Sequence, residues 1–184
     1  MIDQEVSNIL KSRRSIYPRD FTGELISKET ILEILENANH APTHKITQPW
    51  IFKIFCKNSK PELLNEILKI NSNFSDLKKL KLKDNFNKSS HIICICMKKN
   101  NDIIPEWEEV AATAMAVQNI WISCVNSNIG GYWSTPKYAE KIHSFLSLNK
   151  DEKCLGFFYL GKHKSIKNRI INRKNIKEKI QWFE

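Results

Sequence analysis

Three short stretches hold the side chains best suited to chemistry in this 184-residue chain. Arg13, Arg14 and Ser15 set two guanidiniums and a hydroxyl side by side, donors of the kind that clamp a phosphate or the polar edge of a heterocycle. HAPTHKITQPW, residues 40–50, gathers His40, His44, Lys45 and Gln48 into a loop stiffened by Pro42 and Pro49 and closed by Trp50. GGYWSTP, residues 130–136, offers two glycines that let backbone approach a ligand, and Trp133 as a flat apolar surface.

What is missing narrows the reaction class. There is no phosphate-binding P-loop, GxGxxG turn, HExxH helix or GxSxG elbow, so those motif-borne routes to nucleotide hydrolysis, dinucleotide binding, zinc proteolysis and serine hydrolysis have no support. Glu108 and Glu109 are adjacent on an expected helix, where neighbours do not face each other, and they read as solvated surface rather than an acid and base pair. Five cysteines, an odd number without CxxC spacing, signal neither a disulfide framework nor a metal centre. Cys94 and Cys96 in HIICICMKK fall on one face of a strand as small buried hydrophobes.

The elements that must carry these clusters are marked by periodicity. Ile2–Lys11 reads as a short amphipathic helix. Ser27 is placed to cap a helix running to about Asn39, with Ile31, Leu32, Ile34, Leu35 and Ala38 on one face. Trp50–Cys56 reads as a strand, Ser59, Pro61 and Glu62 as a capping box opening a helix to about Ile70, and the Lys-rich stretch from Ser75 to Lys88 is ambiguous. His91–Met97, apolar on both faces, reads as a central strand. Pro105 opens a helix expected from about Glu106 to Asn126 and ended by Gly130 and Gly131. It is apolar nearly all round, so burial on every side is expected, with a partner subunit over one face. An extended piece at Tyr132–Trp133, a helix over Pro136–Leu146 and a strand over Cys154–Leu160 complete an α/β or α+β three-layer plan.

One domain, residues 1–184, is expected, with residues 163–184 as a basic C-terminal tail. The net charge is +9, and residues 162–184 alone carry eight basic against two acidic side chains. Most such runs are solvated faces, and no RNA- or DNA-binding signature surrounds this one, so a nucleic-acid partner is the lesser reading. No run reaches the ~18 apolar residues of a membrane span and the N-terminus lacks the pattern of a signal peptide, so a cytoplasmic protein without a membrane partner is expected.

SRRSIYPRDF, APTHKITQPW, PEWEEVAATAMAVQNIW, IGGYWSTP and LGFFYLG occur in the order and approximate spacing of the nitroreductase family of flavoproteins. Over about residues 3–162 the chain resembles its compact members, which carry an HK-x-x-QPW motif. The resemblance implies a homodimeric α+β fold of three α/β/α layers around a mostly antiparallel sheet, with two FMN sites at the interface. It also implies that NADPH or NADH reduces the flavin, leaves, and is replaced by a nitroaromatic, quinone or similar acceptor in ping-pong kinetics. Hydride chemistry then belongs to the cofactor, and no protein nucleophile is required.

By position, the resemblance assigns Arg13, Arg14 and Ser15 to the FMN phosphate and the pyrimidine edge of the ring. It assigns His40 and His44 to flavin contacts from the other subunit, Gln48, Pro49 and Trp50 to the segment under the ring, and Trp133, Ser134 and Thr135 to a second phosphate-side segment. Compact members carry arginine where this chain has Ser134, which takes one cation from the clamp. Arg169, Arg173 and Lys174 of the tail could replace it by reaching over the neighbouring subunit. Lys45 or Arg13 could favour the reduced flavin with positive charge. Read without the resemblance, Trp50 is core, His40 a helix cap and Gln48 loop surface. Two other functions stay open: a flavin-binding protein of this fold without turnover, and a nucleic-acid-associated protein acting through its tail.

Overall fold

The computed structural model describes residues 2–100, 104–164 and 173–184. Four strands, β1 (Trp50–Cys56), β2 (His91–Lys98), β3 (Ile129–Ser134) and β4 (Glu152–Lys162), form one sheet in the order β1-β2-β4-β3. Every neighbour is antiparallel, so the fold is α+β. In register, Trp50 faces Met97, His91 faces Leu160 and Trp133 faces Phe158. β2 is central as expected: seven of its eight residues are buried, because alternate side chains enter two different cores.

Of the five α-helices among the described residues, α1 (Gln4–Ser12), α2 (Lys28–Asn39), α3 (Ser59–Ile70), α4 (Asp76–Lys88) and α5 (Glu106–Ser123), the last four cover the faces, while α1 buries no residue. One core joins Leu63 and Ile67 of α3 and Leu82 and Phe86 of α4 to Ile92, Cys94, Cys96 and Phe157 of the sheet. The other joins Ile31, Ile34 and Ala38 of α2 and Ala112, Ala116, Val117 and Ile120 of α5 to Ile93, Ile95 and Phe158. The sheet is thus the middle of three layers. Cys94, Cys96 and Cys154 share one core, and burial pushes the Cys94 thiol well up, which leaves it an inert packing group. No helix among the described residues is long and apolar enough to cross a membrane.

Local rules account for most element ends and fail at four places. Ser27 and Ser75 accept from Thr30 N–H and Lys78 N–H and so cap α2 and α4. At α3, however, Asn58 occupies the cap position, while Ser59 Oγ accepts from Cys56 N–H and donates to Cys56 O in place of a capping box. α5 ends at Ser123, three residues before the expected Asn126, and Gly130 and Gly131 lie within β3 instead of ending the helix. Nor is α5 enclosed on every side: Trp107 is 69% exposed and Met115 39%, so one face is bare in the single chain. The expected helix at Pro136–Leu146 is a 3-10 turn, Lys137–Ile142.

Candidate functional site

Arg13 and Ser15 leave the C-terminal end of α1 and run beside β3. The Gly131 carbonyl is the junction, accepting from Ile16 N–H at 3.0 Å and from Trp121 Nε1 at 2.9 Å. Arg13, in turn, lays its guanidinium over the Trp121 ring, 5.4 Å from the centroid. The first and third clusters are therefore brought together by the last turn of α5. Arg14 folds back instead, donating from Nη1 to the Lys11 and Arg13 carbonyls that α1 leaves unpaired.

The electrostatics here are one-sided. Partial burial, then the charge of Arg173, then that of Arg14 hold the Arg13 pKa below the usual guanidinium value. No ion pair engages Arg13 among the described residues. The tail thus returns Arg173 to the Arg13 of its own chain, whereas Arg169 lies outside the described residues. Cations set against one another, with no carboxylate paired to Arg13 among the described residues, are the arrangement an anion would relieve.

β3 contributes differently from the sequence expectation. Its two glycines make room for packing, not for a ligand: a Cβ on Gly131 would lie 2.1 Å from the Phe158 ring, and one on Gly130 would lie 2.5 Å from the Ile16 side chain. Trp133 is half-buried against the α2/α5 core, and its Nε1 is buried without a hydrogen-bond partner among the described residues. Ser134 is partly buried and Thr135 exposed.

From His44 onward the second cluster lies at the other end of α5, whereas His40 stays beside its C-terminal half, its N–H donating to the Asn37 carbonyl that also accepts from Asn119 Nδ2. His40 caps the end of α2, exposed, with Nε2 3.5 Å from the Glu36 carboxylate. His44 Nδ1 is 2.6 Å from Glu108 Oε2 in the first turn of α5. Pro49 and Trp50 are buried, and Trp50 Nε1 donates to Asn39 Oδ1 at 3.1 Å, so this indole is part of the core. Between them the backbone is strained: Lys45, Ile46 and Gln48 have φ of 51°, 55° and 45°. The left-handed region costs a non-glycine residue about 1–2 kcal/mol, and β-branched Ile46 is among the least suited to it.

Beneath that loop lies Glu109, and here the surface reading of the two glutamates fails. Adjacent helical positions diverge by about 100°, so Glu108 points out to His44 while Glu109 is fully buried beneath the loop. Glu109 accepts from Thr47 Oγ1 at 2.9 Å and from Asn100 Nδ2 at 2.7 Å. A hydroxyl and an amide 62 and 9 residues away in sequence gave no local signal of it. From Glu109 to Trp121 is twelve helical residues, roughly 18 Å at 1.5 Å each. A single chain therefore holds the 44–48 segment and the Arg13 cluster at opposite ends of one helix.

A model of the nitroreductase family matches residues 10–162. YfhC of Bacillus subtilis, which bears the provisional label NAD(P)H nitroreductase, is 26% identical over 172 residues, covering 84% of this chain and 82% of that protein. The crystal structure of a nitroreductase-like family protein from Bacillus cereus superposes with a TM-score of 0.84 at 25% identity, covering 100% of this chain and 98% of that one. In fold, the chain is also similar to the FMN-dependent nitroreductase NfnB of Mycobacterium smegmatis, solved with NADPH: TM-score 0.77, 16% identity, 98% and 99% covered.

Proposed function

The chain belongs to the nitroreductase family, and from that premise we propose an FMN-dependent, NAD(P)H-linked oxidoreductase that reduces nitroaromatic, quinone-like or similar acceptors as a homodimer. The observation that carries this reading is Arg13, laid over Trp121 beside the Gly131 carbonyl and without an ion pair among the described residues, where the charges of Arg173 and Arg14 press on it. A dianionic phosphate meets that charge, and Ser15 adds a hydroxyl beside it. Arg173 supplies from the same chain the cation that Ser134 withholds.

When bound, FMN supplies the hydride chemistry, accepting from NADPH or NADH and delivering to the acceptor in alternate half-reactions. The chain's own residues bind and orient. Arg13 and Arg173 hold the phosphate end, and His40, His44 and Gln48 reach the ring of the other subunit's flavin while Pro49 and Trp50 back their loop. A second copy is needed because one chain cannot bring both ends of α5 to one ligand. The bare face of α5 at Trp107 and Met115 supports that copy.

The test is an absorbance spectrum of the purified protein from 300 to 550 nm before and after anaerobic NADPH. Flavin bands that bleach are expected. Bands that persist would leave a flavin-binding protein without turnover, and no bands even after incubation with FMN would overturn the cofactor reading.

A further inference from the structure

The 43–48 loop is held by a chain of hydrogen bonds whose direction can be derived. Thr47 Oγ1 donates to Glu109 Oε2. Thr47 Oγ1 is then left to accept across its 2.9 Å contact with Thr43, which makes Thr43 Oγ1 the donor there. Thr43 Oγ1 uses a remaining lone pair to accept the Gln48 N–H at 3.2 Å. The order is therefore Gln48 N–H to Thr43, Thr43 to Thr47, and Thr47 to Glu109, every proton directed toward one fully buried carboxylate.

This chain closes a loop that local preference would open. Lys45, Ile46 and Gln48 all sit in the left-handed region with no glycine among them, and such conformations persist only where surrounding contacts over-determine them. Asn100 fixes the second carboxylate oxygen at 2.7 Å, so the anchor cannot rotate away. The carboxylate itself is shielded from solvent and from any ligand, which separates holding the loop from touching what the loop touches.

We propose that Glu109 is a positioning residue: through Thr47 and Thr43 it locks the 43–48 loop in its left-handed form and thereby sets where Lys45 and Gln48 meet the flavin. The proposal rests on the FMN reading above for its consequence, not for its geometry.

The experiment measures amide hydrogen exchange of residues 44–48 in the apoprotein and, separately, FMN affinity by quenching of flavin fluorescence. In Thr43→Val and Glu109→Leu, exchange at Gln48 should rise at least tenfold while β2 and β4 keep their protection, and the Kd for FMN should rise about tenfold. Because the links are in series, the double variant should be no worse than the more severe single one. Glu109→Gln, which keeps shape and an acceptor oxygen, should restore much of both. Should Glu109→Leu fail to fold, Thr43→Val at the partly buried end of the chain still decides. Unchanged exchange at Gln48, or effects of the two sites that multiply, would overturn the proposal. If wild type shows protected exchange but takes up no FMN, the cofactor reading has failed while the loop anchor stands.

Discussion

Arg13 is the residue on which the charge of this molecule converges. Its cation is opposed by burial, Arg173 and Arg14, so the folded chain carries an electrostatic cost at every pH where guanidinium is charged, which covers the whole stable range. An anion that binds there removes the cost and adds stability by mass action. Millimolar phosphate should therefore raise the melting temperature of the apoprotein, and Arg13→Ala should abolish the rise. Arg173 is exposed, so its share is screened. Arg173→Ala should weaken FMN three- to tenfold, about 1 kcal/mol, while the phosphate-free melting temperature stays level or climbs as repulsion is relieved. Equal phosphate shifts in wild type and Arg13→Ala, measured by differential scanning fluorimetry, would contradict this account.

At the scale of elements, legibility in the sequence tracked how local the cause was. β1 appears over Trp50–Cys56 as expected because β-branched and aromatic alternation is a property of those seven residues alone. α2 likewise follows from Ser27 and the stripe at Ile31, Ile34 and Ala38. The left-handed backbone at Lys45, Ile46 and Gln48 was not legible, because none of them is glycine or asparagine and the loop is held by Glu109 from far along the chain. Glu109 itself was misread as surface for the same reason: nothing near it in sequence says which way a loop will fold over it. The clusters at Arg13–Ser15 and 130–136 were found as motifs, yet the pairing of Arg13 with Arg173 depends on the path of the tail.

The glycines of β3 make the same point in testable form. A ligand-facing glycine would tolerate alanine in the apoprotein, whereas a packing glycine would not. A methyl on Gly131 would meet Phe158 Cε1 at 2.1 Å, inside a core where both β3 and β4 are held by their ladder. Overpacking of this kind costs roughly 2–3 kcal/mol. Gly131→Ala should therefore lower the urea midpoint of the apoprotein with an unchanged m-value. An alanine variant as stable as wild type but poor in flavin would return this glycine to the ligand.

The whole molecule exposes more apolar surface than one chain has use for. Ile2 just before α1, Val6 and Leu10 on it, Trp107 and Met115 on α5, and Ile176, Ile180, Trp182 and Phe183 in the tail are all uncovered. Patches of this kind mark association surfaces. The proposed two-fold dimer would resolve the separation along α5 by setting one chain's Arg13 against its partner's 44–48 segment.

Mixed dimers test that arrangement directly. Arg13→Ala and the double variant His44→Ala/Gln48→Ala should each bind little FMN as homodimers. In a hybrid of the two, one site inherits both defects and the other inherits neither. Random exchange makes about half of all dimers hybrids, each with one sound site of two, so unfolding and refolding an equal mixture should restore about a quarter of wild-type FMN capacity. Were the two clusters to act on one ligand within a chain, every site in the mixture would carry one defect and capacity would not recover. Titration of the refolded mixture with FMN, read by fluorescence quenching, separates the two outcomes without reference to turnover.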